Sequence, residues 1–63
     1  MEFNKTVGIG VSGGIAAYKT ADLVSRLAKA GADVHVIMTR NATRFVTPLT
    51  FRTLSGNPVL VDS

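Results

Sequence analysis

Residues 6–11, TVGIGV, place β-branched side chains at alternate positions with almost no polarity, the pattern of a short buried strand. Ser12, Gly13 and Gly14 interrupt it. The period then changes. Ala17, Ala21, Val24 and Ala28 recur at steps of four, three and four, and Leu23 and Leu27 widen that stripe. Lys19, Asp22, Arg26 and Lys29 take the opposite side. Residues 15–30 therefore predict an amphipathic helix, with Asp22 and Arg26 one turn apart and able to pair. Gly31 is the expected stop, because a helix end commonly requires a left-handed residue. Val34 to Met38 is a second, nearly continuous apolar strand, three residues beyond that stop.

Thr39 is placed to cap a short helix over residues 40–46. Thr47 at the N-cap and Pro48 at the first helical position start another, which runs to about Ser55 and stops at Gly56. Asn57 and Pro58 form a turn, and Val59 to Val61 predicts a third strand. The order is strand-helix-strand-helix-helix-strand, with no internal repeat and no low-complexity linker. It predicts an α/β fold, the N-terminal part of a Rossmann-like doubly wound parallel sheet. A crossover helix between the first two strands favours a right-handed parallel pair. One such helix covers one face, whereas strands this apolar expect cover on both. Residues 1–63 are therefore expected to be an N-terminal fragment of one domain. The uncovered face also leads us to expect a homo-oligomer.

Composition narrows the chemistry. The 63 residues are 46% apolar and 17% charged, a core-seeking balance rather than a disordered one. There is no cysteine, so neither a disulfide nor a thiolate metal site is available. One histidine and four carboxylates are too few to predict a self-made metal cage, and no metal is expected. No apolar run approaches the roughly 20 residues of a membrane span. The opening residues MEFNK lack an apolar core behind basic residues, so a secretory signal is not expected and a cytoplasmic protein is. The net charge of +3 and pI near 10.0 point to an anionic partner. The cations are scattered: Lys19, Arg26 and Lys29 fall along one segment, and Arg40, Arg44 and Arg52 along another. With no basic run and no interleaved aromatics, a small phosphorylated ligand is favoured over nucleic acid.

The Val11–Ile15 loop sits where such a ligand would bind, between the first strand and the first helix, at the carboxyl edge of the sheet. A helix N-terminus offers unpaired N–H groups and partial positive charge, glycines let backbone approach a phosphate, and Ser12 adds a hydroxyl. The bland alternative is that the glycines only allow tight strand-to-helix packing. Three phosphate loops can be compared. Gly8, Gly10 and Gly13 match G-x-G-x-x-G by letter, yet Gly8 and Gly10 fall inside the predicted strand. The second strand ends Thr39-Arg40, without the acid that takes a ribose hydroxyl, although Arg40 could face an NADP phosphate. The ATP-binding pattern from Gly13 to Thr20 fails because Tyr18 stands where glycine is required. A flavin mononucleotide site is the third possibility. Thr39 would offer a second hydroxyl to the same phosphate. Phe45, one short helix later, would lie near the flavin or in the core.

Three segments are more specific. Gly10–Lys19 (GVSGGIAAYK) resembles the opening motif of the flavin-containing cysteine decarboxylases; Gly31–Thr39 (GADVHVIMT) resembles their second strand, and Phe45–Gly56 (FVTPLTFRTLSG) their next segment. The coenzyme A branch matches better than the peptidyl-cysteine decarboxylases or the flavin prenyltransferases. A non-catalytic NADP-type half-domain is the alternative from another class. The resemblance implies a flavoprotein fold, FMN as cofactor, and conversion of 4′-phosphopantothenoylcysteine to 4′-phosphopantetheine and carbon dioxide. It implies a homotrimer or higher homo-oligomer with FMN at a subunit boundary. Ser12, Gly13, Gly14, Ile15, Thr39 and Phe45 become the candidate cofactor-binding residues. The essential histidine, asparagine motif and cysteine of that family come later in its chains, so no catalytic residue is expected in residues 1–63. His35 lacks a Cys, Asp or Glu partner at ligand spacing and reads as structural. Tyr18 reads as helix packing, Met38 as core, Arg40 and Arg44 as solvated, and Asp22 and Asp33 as surface or turn residues.

Overall fold

The computed structural model describes residues 5–14 and 16–62. Three strands, β1 (Thr6–Val11), β2 (Asp33–Thr39) and β3 (Leu60–Asp62), form one parallel sheet in the order β1-β2-β3. Helix α1 (Ala16–Lys29) joins the first two strands. A turn of 3₁₀ helix at Asn41–Arg44 and helix α2 (Pro48–Ser55) join the second and third. This is the α/β arrangement expected, with the third strand one residue later than its apolar run. Among the described residues, no helix is long and apolar enough to cross a membrane.

Alternation along the strands decides which face is covered. Val34, Val36 and Met38 are buried, and the residues between them are exposed. They join Val11 of β1, Ala17 and Val24 of α1, and Phe51 of α2 in one core. Both helices therefore cover the same face. That is the outcome when consecutive parallel strands are joined by crossovers of one hand. The other face carries Gly8, Gly10, His35, Ile37 and Leu60. Ile37 is 49% and Leu60 64% exposed, so the apolar character of that face is unmet among the described residues.

The helix ends follow their sequence signals. At the C-terminus of α1, Ala32 N–H donates to Leu27 C=O and Gly31 N–H to Ala28 C=O, both at 3.1 Å. This is the Schellman pattern, and Gly31 supplies its left-handed residue at φ 95°. At the start of α2, Thr47 Oγ1 accepts from Thr50 N–H at 3.4 Å, and Gly56 closes the helix at φ 75°. Asp22 and Arg26 pair at 3.0 Å in solvent. Two apolar expectations on α1 need correction. Leu23 is 48% and Tyr18 57% exposed, because the buried stripe is narrow and centres on Ala17 and Val24.

The amino end of β2 carries a polar network that spacing did not predict. Asn57 Nδ2 donates to Val34 C=O at 2.7 Å and to Asp33 Oδ1 at 2.9 Å. β3 pairs only with residues 37–39 of β2, so Asn57 serves a strand carbonyl that β3 does not reach. His35 Nε2 lies 3.0 Å from Asp33 Oδ2. The expectation that His35 has no acidic partner is thus overturned: residues i and i+2 of a strand share a face. The hydrogen bonds from His35 and then Asn57 hold the Asp33 carboxyl below its ordinary value of 3.8. A carboxyl lowered in the folded state binds its proton more readily when unfolded. Its stabilisation is therefore present above that ordinary value and is lost as pH falls through the lowered one. Asp33→Asn should make the urea midpoint less dependent on pH below about 4. An unchanged acid slope would count against this network. The pair is solvent-exposed, so the effect is expected to be small.

Candidate functional site

Parallel pairing of β1 with β2, in the register Val11 to Met38, brings their carboxyl ends side by side. Beyond them, the Ser12–Gly14 loop and Thr39 converge without any side chain having to reach far. A cleft of about 250 Å³ opens there, lined by Gly10, Val11, Ser12, Ile37, Thr39 and Asp62. Its floor is partly bare sheet: nothing lies within 4 Å of where a side chain on Gly10 would begin. A second cleft of about 290 Å³ lies between Pro48, Leu49, Arg52, Pro58 and Val59. It is the larger, but among the described residues Arg52 is its only ionic group and it has no side-chain hydroxyl. The carboxyl-edge cleft is where polar groups converge, which is the better mark of a ligand site.

Each polar group has a traceable origin. Ser12 is exposed at the end of β1. The helix expected over residues 40–46 is only a 3₁₀ turn at Asn41–Arg44, with Arg40 at its N-cap. Thr39 Oγ1 accepts from Ala42 N–H at 3.2 Å. That bond uses a lone pair and leaves the hydroxyl proton, which has no acceptor among the described residues. Gly14 sits at φ 104°, a left-handed conformation that turns the chain into α1. Its carbonyl accepts from Ala17 N–H at 3.1 Å, while the N–H groups of Gly13 and Gly14 donate to no carbonyl among the described residues. The cleft is lined by the two hydroxyls, and the Gly13 and Gly14 amides stand on the loop that follows Ser12, a donor set suited to a phosphate.

Ser12 and Thr39 come together in the cleft, with Gly13 and Gly14 on its loop. Ile15 lies outside the described residues. Phe45 follows the 3₁₀ turn, is 38% exposed, and is not among the residues lining the cleft. Gly8 and Gly10 lie within β1, so the G-x-G-x-x-G letters do not form the loop. His35 stands four residues before Thr39 on β2, about 13 Å away at strand rise. It is not part of this cleft.

Two residues near the site were missed. Asn41 presses its side-chain amide against Gly13, where any Cβ would collide with it. Asp62 enters from the end of β3. The parallel register held a signal for both: residues just beyond neighbouring strand ends must lie together.

Sequence comparison places the chain among known proteins. A family model described as Flavoprotein matches residues 1–63. The Coenzyme A biosynthesis bifunctional protein CoaBC of Borreliella burgdorferi is 52% identical over 62 residues, 98% of this chain and 16% of that protein. The protein of the same name from Bacillus subtilis is 55% identical over 60 residues, 95% of this chain and 15% of its own length. That of Escherichia coli K12 is 58% identical over 55 residues, 87% and 14%. The chain thus spans only 14% to 16% of the length of these curated relatives.

Proposed function

The chain belongs to the flavoprotein family, and from that premise we propose that residues 1–63 are the opening segment of an FMN-binding decarboxylase domain. The substrate in this reading is 4′-phosphopantothenoylcysteine, which loses carbon dioxide to give 4′-phosphopantetheine. Likeness to three coenzyme A biosynthesis proteins supports it. The observation that carries it is the convergence of Ser12 and Thr39 on one cleft at the carboxyl edge.

The residues of this segment bind and orient. Ser12 and Thr39 donate to phosphate oxygens, the Gly13 and Gly14 amides add two more donors, and the α1 N-terminus favours negative charge. Ile15 and Phe45 complete the proposed set of cofactor contacts. When bound, the flavin supplies two-electron chemistry that no side chain offers. Among the described residues lining the cleft, Asp62 is the one acid, and this reading assigns no proton transfer to it. A homo-oligomer, a trimer in this reading, and a cytoplasmic setting belong to the same proposal. The exposed Ile37 and Leu60 support the oligomer, because an apolar sheet face seeks a partner.

Ser12→Ala removes one hydroxyl donor to a charged group and should weaken FMN binding about ten to a hundredfold. Thr39→Val should act in the same direction and also free Ala42 N–H. The measurement is flavin fluorescence titration of the intact protein stripped of cofactor. Parent-like affinity in both variants would refute the phosphate assignment.

A further inference from the structure

Among the described residues, Asp62 is the one ionisable side chain lining the carboxyl-edge cleft. Its position is fixed by pairing. Asp62 lies opposite Thr39 in the register, and its carbonyl accepts from Arg40 N–H at 2.9 Å. Alternation places it on the same face as Leu60, and hence as Ile37 and Thr39, the face the two helices leave open. Among the described residues its carboxylate has no hydrogen-bond or ion-pair partner.

An acid is out of place in a site that only holds phosphate. An ionised carboxylate accepts hydrogen bonds and donates none, and it repels a nearby phosphate. A ligand that satisfies both ends must carry its phosphate toward Ser12 and hydroxyl donors toward Asp62. Dinucleotide folds solve a similar problem with an acid at the end of the second strand that takes a ribose hydroxyl. Here Thr39 holds that place, and the acid arrives one strand over. Ser12, Thr39 and Asp62 line the same cleft, so one ligand can reach both ends.

We propose that Asp62 is a specificity-determining residue of this cleft: its carboxylate accepts hydrogen bonds from the hydroxylated chain that links phosphate to ring in the bound flavin. This rests on the reading of the cleft as a flavin phosphate site. Asp62 makes the cleft select for a polyol phosphate over a phosphate on a plain alkyl chain.

The test compares two ligands in the intact protein stripped of cofactor. One is FMN. The other is the same flavin phosphate with its chain hydroxyls replaced by hydrogen. Affinities are read by flavin fluorescence quenching in the parent, Asp62→Asn, Asp62→Ala and Ser12→Ala. Asp62→Ala should weaken FMN binding about tenfold and leave the deoxy analogue unchanged or tighter. Asp62→Asn is nearly isosteric, guards against misfolding, and should fall between parent and Asp62→Ala for FMN. Ser12→Ala should weaken both ligands alike. If both Asp62 variants bind FMN as tightly as the parent while Ser12→Ala weakens both ligands, the Asp62 proposal is overturned and the phosphate reading stands. If Ser12→Ala also leaves both ligands untouched, the phosphate reading has failed and takes the proposal with it.

Discussion

Phe51→Ala is expected to destabilise the flavoprotein domain by about 3–5 kcal/mol, read as a loss of unfolding free energy in urea. Phe51 is 0% exposed and is among the largest fully buried side chains of the core. It is the only buried residue of α2, which has just 8 residues. A helix of two turns is not stable by itself in water, so its place depends on packing. Thr47, Pro48 and Gly56 define where α2 begins and ends, but Phe51 holds it on the sheet. Truncation leaves a cavity between α2 and β2 that neighbouring side chains fill only in part. The loss should reach function indirectly. α2 delivers the chain to β3, and β3 positions Asp62 beside Thr39. Phe51→Leu keeps most of the volume and should cost under about 2 kcal/mol. A loss below about 1 kcal/mol for Phe51→Ala would contradict the core described above.

Much of this fold was legible because local signals agreed with one another. β1 was read with its observed bounds, since Thr6 to Val11 ends at a run of Ser and Gly that cannot continue a strand. Gly31 and Gly56 marked both helix ends, and Thr47 with Pro48 marked a start, because each meets a backbone requirement of its own position. What stayed illegible depended on contacts between distant segments. Leu23 was read as widening the apolar stripe of α1, yet at 3.6 residues per turn it falls well away from Ala17 and Val24, and both it and Tyr18 stay exposed. His35 lacked a visible partner until strand pairing was known, although Asp33 lies only two residues away. The candidate site divides the same way. Ser12, Gly13, Gly14 and Thr39 announce themselves through residue type at strand ends. Asn41 and Asp62 have ordinary sequence surroundings, and only the register of three parallel strands brings them to the loop.

Gly13→Val is expected to weaken FMN binding by more than about a hundredfold, equal to about 2.7 kcal/mol. Two physical effects act together. A Cβ on residue 13 collides with the side-chain amide of Asn41, so the 3₁₀ turn and the loop cannot keep their present contact. The branched side chain also occupies space through which, in the proposed reading, the loop amides approach a phosphate. These effects can be separated, because Asn41 is exposed and short and can be removed without emptying the core. Asn41→Ala in the Gly13→Val background should recover most of any lost thermal stability. It should not recover flavin affinity, since the valine still stands at the loop. Gly13→Ala should fall between parent and Gly13→Val. Titration of the cofactor-free intact protein, beside its melting temperature, reads both quantities. If Asn41→Ala restored affinity together with stability, Gly13 would serve loop packing alone. If Gly13→Val bound flavin as the parent does, the loop would not be the phosphate site.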